Sequence, residues 1–239
     1  MRPFNTRFSL FFLLLSFVLF SSRCNLDNEK PIQGVIVYDV TFPYLKNKVL
    51  LNVFPEEMVV SFKGDQTHGM LKSLGGIVAS EFISNEKERS FCQLLKAFQD
   101  RYVMELSENE VVDFVKTMPA MTFESTNETD SLAGYLCKKT IANFQLDSVP
   151  PVILYHTTEI KLNNPNWYSQ YQEIDGVLLG YEVEQYGMRM KLIAKSVESK
   201  GINDKIFEIS SKYERINSEE MNRMIDSLIG NFGNQDAFN

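Results

Sequence analysis

The chain has 239 residues, 44% hydrophobic and 23% charged, with a net charge of −7 at neutral pH. That acidity speaks against a nucleic-acid partner, which needs a basic surface, and against attachment to anionic headgroups by charge. The length is enough to bury a full core.

The N-terminus opens with Arg2 and Arg7, followed by an apolar run of 13 residues from Phe8 to Phe20 (FSLFFLLLSFVLF). A membrane-spanning helix needs roughly 20 residues. A basic start, a short apolar run and small residues make a secretory signal peptide, here residues 1–23. Cys24 follows directly after Ser21-Ser22-Arg23. A cysteine at this place resembles the lipobox of bacterial lipoproteins, whose thiol is acylated and becomes the first residue. Arg23 departs from the small residue of that pattern, and cleavage after Ser22 to give a soluble periplasmic protein is the alternative. With two or more acyl chains, at ~0.8 kcal/mol per buried CH₂, the anchor is stable. Residues 24–33 are then the lipidated cysteine and a polar tether. Without residues 1–23 the chain has 21 basic and 31 acidic side chains, a net charge of −10.

β-branched and aromatic runs separated by turn residues predict ten strands. They cover Gly34–Phe42, Met58–Lys63, Ile77–Ile83, Ser90–Leu95, Tyr102–Leu106, Met121–Ser125, Tyr135–Phe144, Val152–Ile160, Val177–Gln185 and Met188–Val197. Tyr186-Gly187 is a tight-turn candidate between the last two. Gly64–Gly69, which holds His68, reads as a solvated turn. Two helices interrupt the strands. Ser107 and Glu110 form a capping box for a helix that runs to about Thr117, short of Pro119. Asn217 and Glu220 offer a second box. Met221, Met224, Ile225, Leu228 and Ile229 then form an amphipathic stripe that Gly230 ends. The arrangement is a mainly β fold: an antiparallel meander curling into a sandwich or barrel, as one domain over residues 34–230 with a frayed tail at 231–239.

Motifs for chemistry are absent from the pattern. His68 and His156 stand alone, without metal-ligand spacing, and no cofactor motif or nucleophile elbow is present. The expectation is therefore no catalytic residue, no metal and no cofactor. Cys92 and Cys137 are an even pair in an exported chain. They are either a disulfide or two buried free thiols.

The apolar content stands out instead, with 18 Phe, 10 Tyr and 10 Met. A curled sheet with a helix over its mouth encloses a ligand cavity. Val37, Phe42, Phe62, Phe82, Phe123, Met188, Met190 and Leu192 are the candidate lining, helped by Met221 and Ile225. Trp167, Tyr168 and Tyr171, in a predicted loop, are the candidate partner surface. The other reading of these three is a cluster that covers the barrel mouth.

Segments of the second half resemble a known family. Ser131–Lys139 (SLAGYLCKK) is similar to its IAGYKCKK segment, and Val152–Ile160 takes the place of its next strand. Asp175–Leu179 (DGVLL) is similar to its DGFPL turn. Glu182–Lys195 (EVEQYGMRMKLIAK) is similar to its MEMQGMKMTMTAK hairpin, and Asn203–Tyr213 (NDKIFEISSKY) to its closing segment. The family comprises exported proteins common in Bacteroidota and related to the GLPGLI proteins. The resemblance covers residues 115–216, with Ser210-Ser211 departing from the family's Pro-x-Gly. It implies a fold like LolA and LolB, a curved antiparallel half-barrel with helices over its open side, and an apolar concavity that takes acyl chains. The expected function is a non-enzymatic envelope lipoprotein, anchored to the outer membrane and holding an apolar ligand. The alternative is an accessory subunit of an outer-membrane protein complex.

Overall fold

The structure, a computed structural model, describes residues 30–45, 54–145, 149–185 and 188–232. The signal segment, Cys24, the tether as far as residue 29, the Tyr186-Gly187 turn and residues 233–239 lie outside the described residues.

Twelve strands form one sheet. They are β1 (Gln33–Thr41), β2 (Glu57–Lys63), β3 (Gln66–Ser73), β4 (Val78–Asn85), β5 (Ser90–Ala97), β6 (Asp100–Leu106), β7 (Met121–Leu132), β8 (Tyr135–Phe144), β9 (Val152–Thr157), β10 (Val177–Gln185), β11 (Met188–Ser199) and β12 (Glu214–Arg215). Across the sheet the order is β12-β6-β5-β4-β3-β2-β1-β11-β10-β9-β8-β7. Neighbours are antiparallel except β12, which runs parallel to β6. Among the described residues no ladder joins β7 to β12, so the sheet is an open, curved half-barrel. The ladders break register at Val37/Tyr38, Leu178/Gly180 and Ser125/Thr129. An extra residue in one strand bends the ladder and sharpens its twist.

Ten strands form where the sequence pattern puts them, although β7 runs on past Ser125 to Leu132 and β9 stops at Thr157. Two were not legible. β3 occupies the stretch predicted as a solvated turn, because its QTHGMLKS sequence has little β-branched character. His68 is accordingly not solvated. It meets Glu81 of β4 at 2.8 Å with 14% of its side chain exposed. β12 is two residues long and carries no pattern at all.

Helix α1 (Glu108–Lys116) and helix α2 (Ser218–Phe232) follow the predicted capping boxes. The Ser107 N–H and hydroxyl donate to Glu110 Oε2 at 2.8 and 2.6 Å. The Asn217 N–H donates to Glu220 Oε2, and the Glu220 N–H returns to Asn217 Oδ1 at 2.9 Å. The second helix does not stop at Gly230 but continues to Phe232.

Alternation along the strands fixes two faces. The inner face carries Ile36 and Tyr38 of β1, Met58, Val60 and Phe62 of β2, and Phe91 and Leu95 of β5. On the outer face, Ile83, Cys92, Leu94 and Val103 are covered by Phe207, Ile206 and Tyr213 of the segment after β11. β5 is thus covered on both sides, which explains its run of five buried residues. β12 carries the chain round the β6 edge, and α2 returns over the inner face. There Met221 and Ile225 pack on Leu95 and Met104.

Candidate functional site

The connection between β9 and β10, residues 158–176, turns into the concavity. Ile160, Trp167, Tyr171 and Ile174 along it are all buried. Sequence alone extends β9 to Ile160; the ladder stops at Thr157 because the chain leaves the sheet here to fill it. Asn166 holds the segment in shape, donating its amide to the carbonyls of Ile174 and Gly176 at 2.8 and 2.9 Å. Gly176 has φ +83°, and a Cβ there would lie 2.4 Å from the Thr157 carbonyl, so only glycine fits this return to the sheet. His156 braces the same corner. Its Nδ1 donates to the Asp175 carbonyl at 2.8 Å, which leaves Nε2 to accept from the Thr140 hydroxyl at 3.0 Å in the neutral ring.

Between this segment, the inner face and the two helices lies a cavity of about 490 Å³. Ligand sites of drug-sized molecules run from about 300 to 1,000 Å³. Tyr38, Val60, Phe82, Phe91, Tyr181 and Met190 line its interior. Thr117 at the end of α1, Glu184 of β10, and Asn222 and Asp226 of α2 also line it and are exposed, so they mark its mouth. Aromatic rings dominate the wall. Tyr168 stacks on Phe91 at 4.9 Å and tilts against Phe82 at 5.4 Å. Tyr181 meets Tyr38 and Tyr171 edge-on, at 5.8 and 6.2 Å.

The phenols are neutral. Burial raises the pKa of Tyr38 and Tyr168 well above the ordinary phenol value. Tyr171 is pushed up to about 12, chiefly by burial. Tyr181 is raised by burial and further by the phenols of Tyr38, Tyr168 and Tyr171. Tyr38 donates to the Leu178 carbonyl at 2.8 Å.

Of the residues predicted to line a cavity, Phe82, Met190 and Leu192 do. Val37 does not: Ile36 and Tyr38 line the cavity, and Val37 alternates onto the opposite face with Asp39. A charged Asp39 two residues on was the available signal for that register. Phe42 is in the core against Phe54, and Phe62 is fully buried between β1 and β3. Phe123 packs on Tyr171. Met221 and Ile225 are buried beneath α2, and their neighbours Asn222 and Asp226 face the cavity instead. The side chain of Met188 is outside the described residues. Tyr38, Phe91, Tyr168 and Tyr181 were missed, although Tyr38 and Tyr181 follow from the same alternation.

The predicted partner surface is corrected by burial. Trp167 is 5% and Tyr171 2% exposed, and Tyr168 is half-buried with its ring in the cavity wall. Their loop folds inward because three aromatic rings gain more from the concavity than from water. Cys92 and Cys137 are free thiols, not a disulfide. They lie on β5 and β8, in different apolar clusters. Among the described residues no group of three His, Cys, Asp or Glu is placed to hold a metal. No described helix is long and apolar enough to cross a membrane.

By sequence, no family model matches the chain, and no curated protein does. Two solved structures share its fold. PNGF-II, in C2 and P2₁ crystal forms, is similar over 81% of this chain at 17% identity, with TM-scores of 0.51 and 0.52. This chain spans about a third of PNGF-II, 32 and 33% in the two forms. A β-barrel-like protein of domain of unknown function DUF1849 from Brucella abortus matches over 72% of this chain and 99% of its own. Its identity is 8% and its TM-score 0.29.

Proposed function

We propose that this protein is a binding protein of the bacterial cell envelope that holds an apolar, acyl-type ligand inside its half-barrel. The cavity carries the proposal. Its wall is aromatic and aliphatic, its volume is that of a small-molecule site, and exposed polar residues of β10 and both helices are part of its lining. Burial of an acyl chain there yields ~25 cal/mol per Å² of apolar surface. The N-terminal pattern supports export and a lipid on Cys24, placing the domain on a tether at the outer membrane. Accessory-subunit function has less support, since the aromatic cluster that would have formed its docking patch is inside the fold.

The test is native mass spectrometry of residues 25–239, purified from the periplasm without detergent and compared with the denatured mass of the same sample. A non-covalent adduct with the mass of a lipid or acyl compound is the expected result. A clean apo mass across several preparations would remove the proposal's support, and crosslinking in membranes would then identify a protein partner.

A further inference from the structure

The charges around the cavity restrict what kind of head group an occupant carries; this inference rests on the acyl-binding reading above. Among the described residues that line the cavity, none is Lys, Arg or His. The acidic residues there are Glu81, Glu184 and Asp226, and Glu81 turns its carboxylate to the outer face. Glu81 is engaged by His68 and by the Tyr213 hydroxyl. Glu184 and Asp226 are exposed at the mouth. Arg189 is near in sequence but is paired with Glu182 at 2.7 Å and covered by the rings of Tyr44 and Phe144.

Polar groups inside the cavity are neutral. The four tyrosines keep their protons, and Tyr168 is hydrogen-bonded with Thr67. Gln93 and Ser169 add amide and hydroxyl groups to the same wall. A carboxylate or phosphate seated here would lose its hydration without meeting a counter-charge, which is costly. On the way in it would also pass two carboxylates of like sign. An ester, amide or alcohol loses only hydrogen bonds, a smaller cost than stranding a charge. We propose that the occupant is an acyl chain with an uncharged head group, and that the site discriminates against free fatty acids and anionic phospholipids.

The experiment is displacement of Nile red, a neutral dye, from residues 25–239, which keep every described element. The competitors are monolauroylglycerol, laurate and dodecylamine, equal in chain length and used below their micelle thresholds at neutral pH. Monolauroylglycerol is expected to displace the dye at concentrations about tenfold lower than laurate. Laurate binding as well or better overturns the head-group assignment while leaving acyl binding intact. Dodecylamine binding better than the glyceride also overturns it, in favour of a cationic head. Dye binding that no competitor reverses, or no dye binding, overturns the acyl-binding reading itself. The double variant Glu184→Lys with Asp226→Lys changes only exposed side chains. It is expected to bring laurate within about threefold of the glyceride. An unchanged laurate affinity would overturn the role of the mouth carboxylates.

Discussion

The indole N–H of Trp167 donates to the hydroxyl of Ser84 at 2.9 Å, joining the inward loop to β4 across 83 residues of sequence. Both residues are buried, and Arg89 lies 4.6 Å over the indole ring. Ser84→Ala leaves that N–H unpaired away from water, at a cost of about 1–3 kcal/mol. The expected outcome is a lower midpoint in urea. Trp167 is the one tryptophan of the chain, so its emission reports the loop directly. A red shift of native emission in the Ser84→Ala protein is expected, and an unshifted spectrum with wild-type stability would show that the bond contributes nothing.

Gly69 on β3 is where Phe82 crosses the sheet. A Cβ at position 69 would lie 2.0 Å from the Phe82 ring, so Gly69→Ala drives that ring into the cavity. Overpacking of this kind costs about 1–3 kcal/mol. Thermal unfolding should show the loss for Gly69→Ala alone. Adding Phe82→Leu should recover most of it, since the clash is with the ring. Two losses that simply add would mean the contact is not the cause.

Glu81 sets a pH dependence. His68 and the Tyr213 hydroxyl hold its carboxyl below the ordinary 4.5, against an opposing effect of burial. A depressed folded value stabilises the protein above 4.5, and that contribution is lost as the pH falls through the folded value. Wild type should therefore exceed Glu81→Gln in stability at neutral pH, with the gap closing below the carboxylate range. Denaturant midpoints of both proteins across acidic pH check this. A gap that is constant with pH would assign the effect to packing.

Cys92 and Cys137 should be inert while the protein is folded. Burial pushes the Cys92 thiol up to about 12 and raises that of Cys137 as well. Iodoacetamide at mildly alkaline pH should leave the native mass of residues 25–239 unchanged and add two carbamidomethyl groups in denaturant. No addition in denaturant without reductant would mean a disulfide.

Much of the architecture was written in local patterns. Alternation in GVIVYDVTF or TIANF marks a half-buried strand regardless of its neighbours, and Ser107/Glu110 and Asn217/Glu220 close helix starts within three residues. These signals are local because the hydrogen bonds and periodicities behind them are local. β3 was hidden because its strand character comes from pairing between β2 and β4 and not from its own side chains. The separation of Cys92 from Cys137 was hidden for a similar reason, since only strand order sets the distance between β5 and β8.

The candidate site belongs almost wholly to the tertiary level. Sequence alone showed an abundance of aromatic and methionine side chains and predicted a concavity for them. It left the phase of β1 open, because a shift of one residue exchanges Val37 for Tyr38 and inverts the face. It also left the direction of the Trp167 loop open, because a polar-flanked aromatic cluster suits either a surface or a core. The curved sheet decided that question: its inner face is apolar, and the loop and both helices fold over it and bury it.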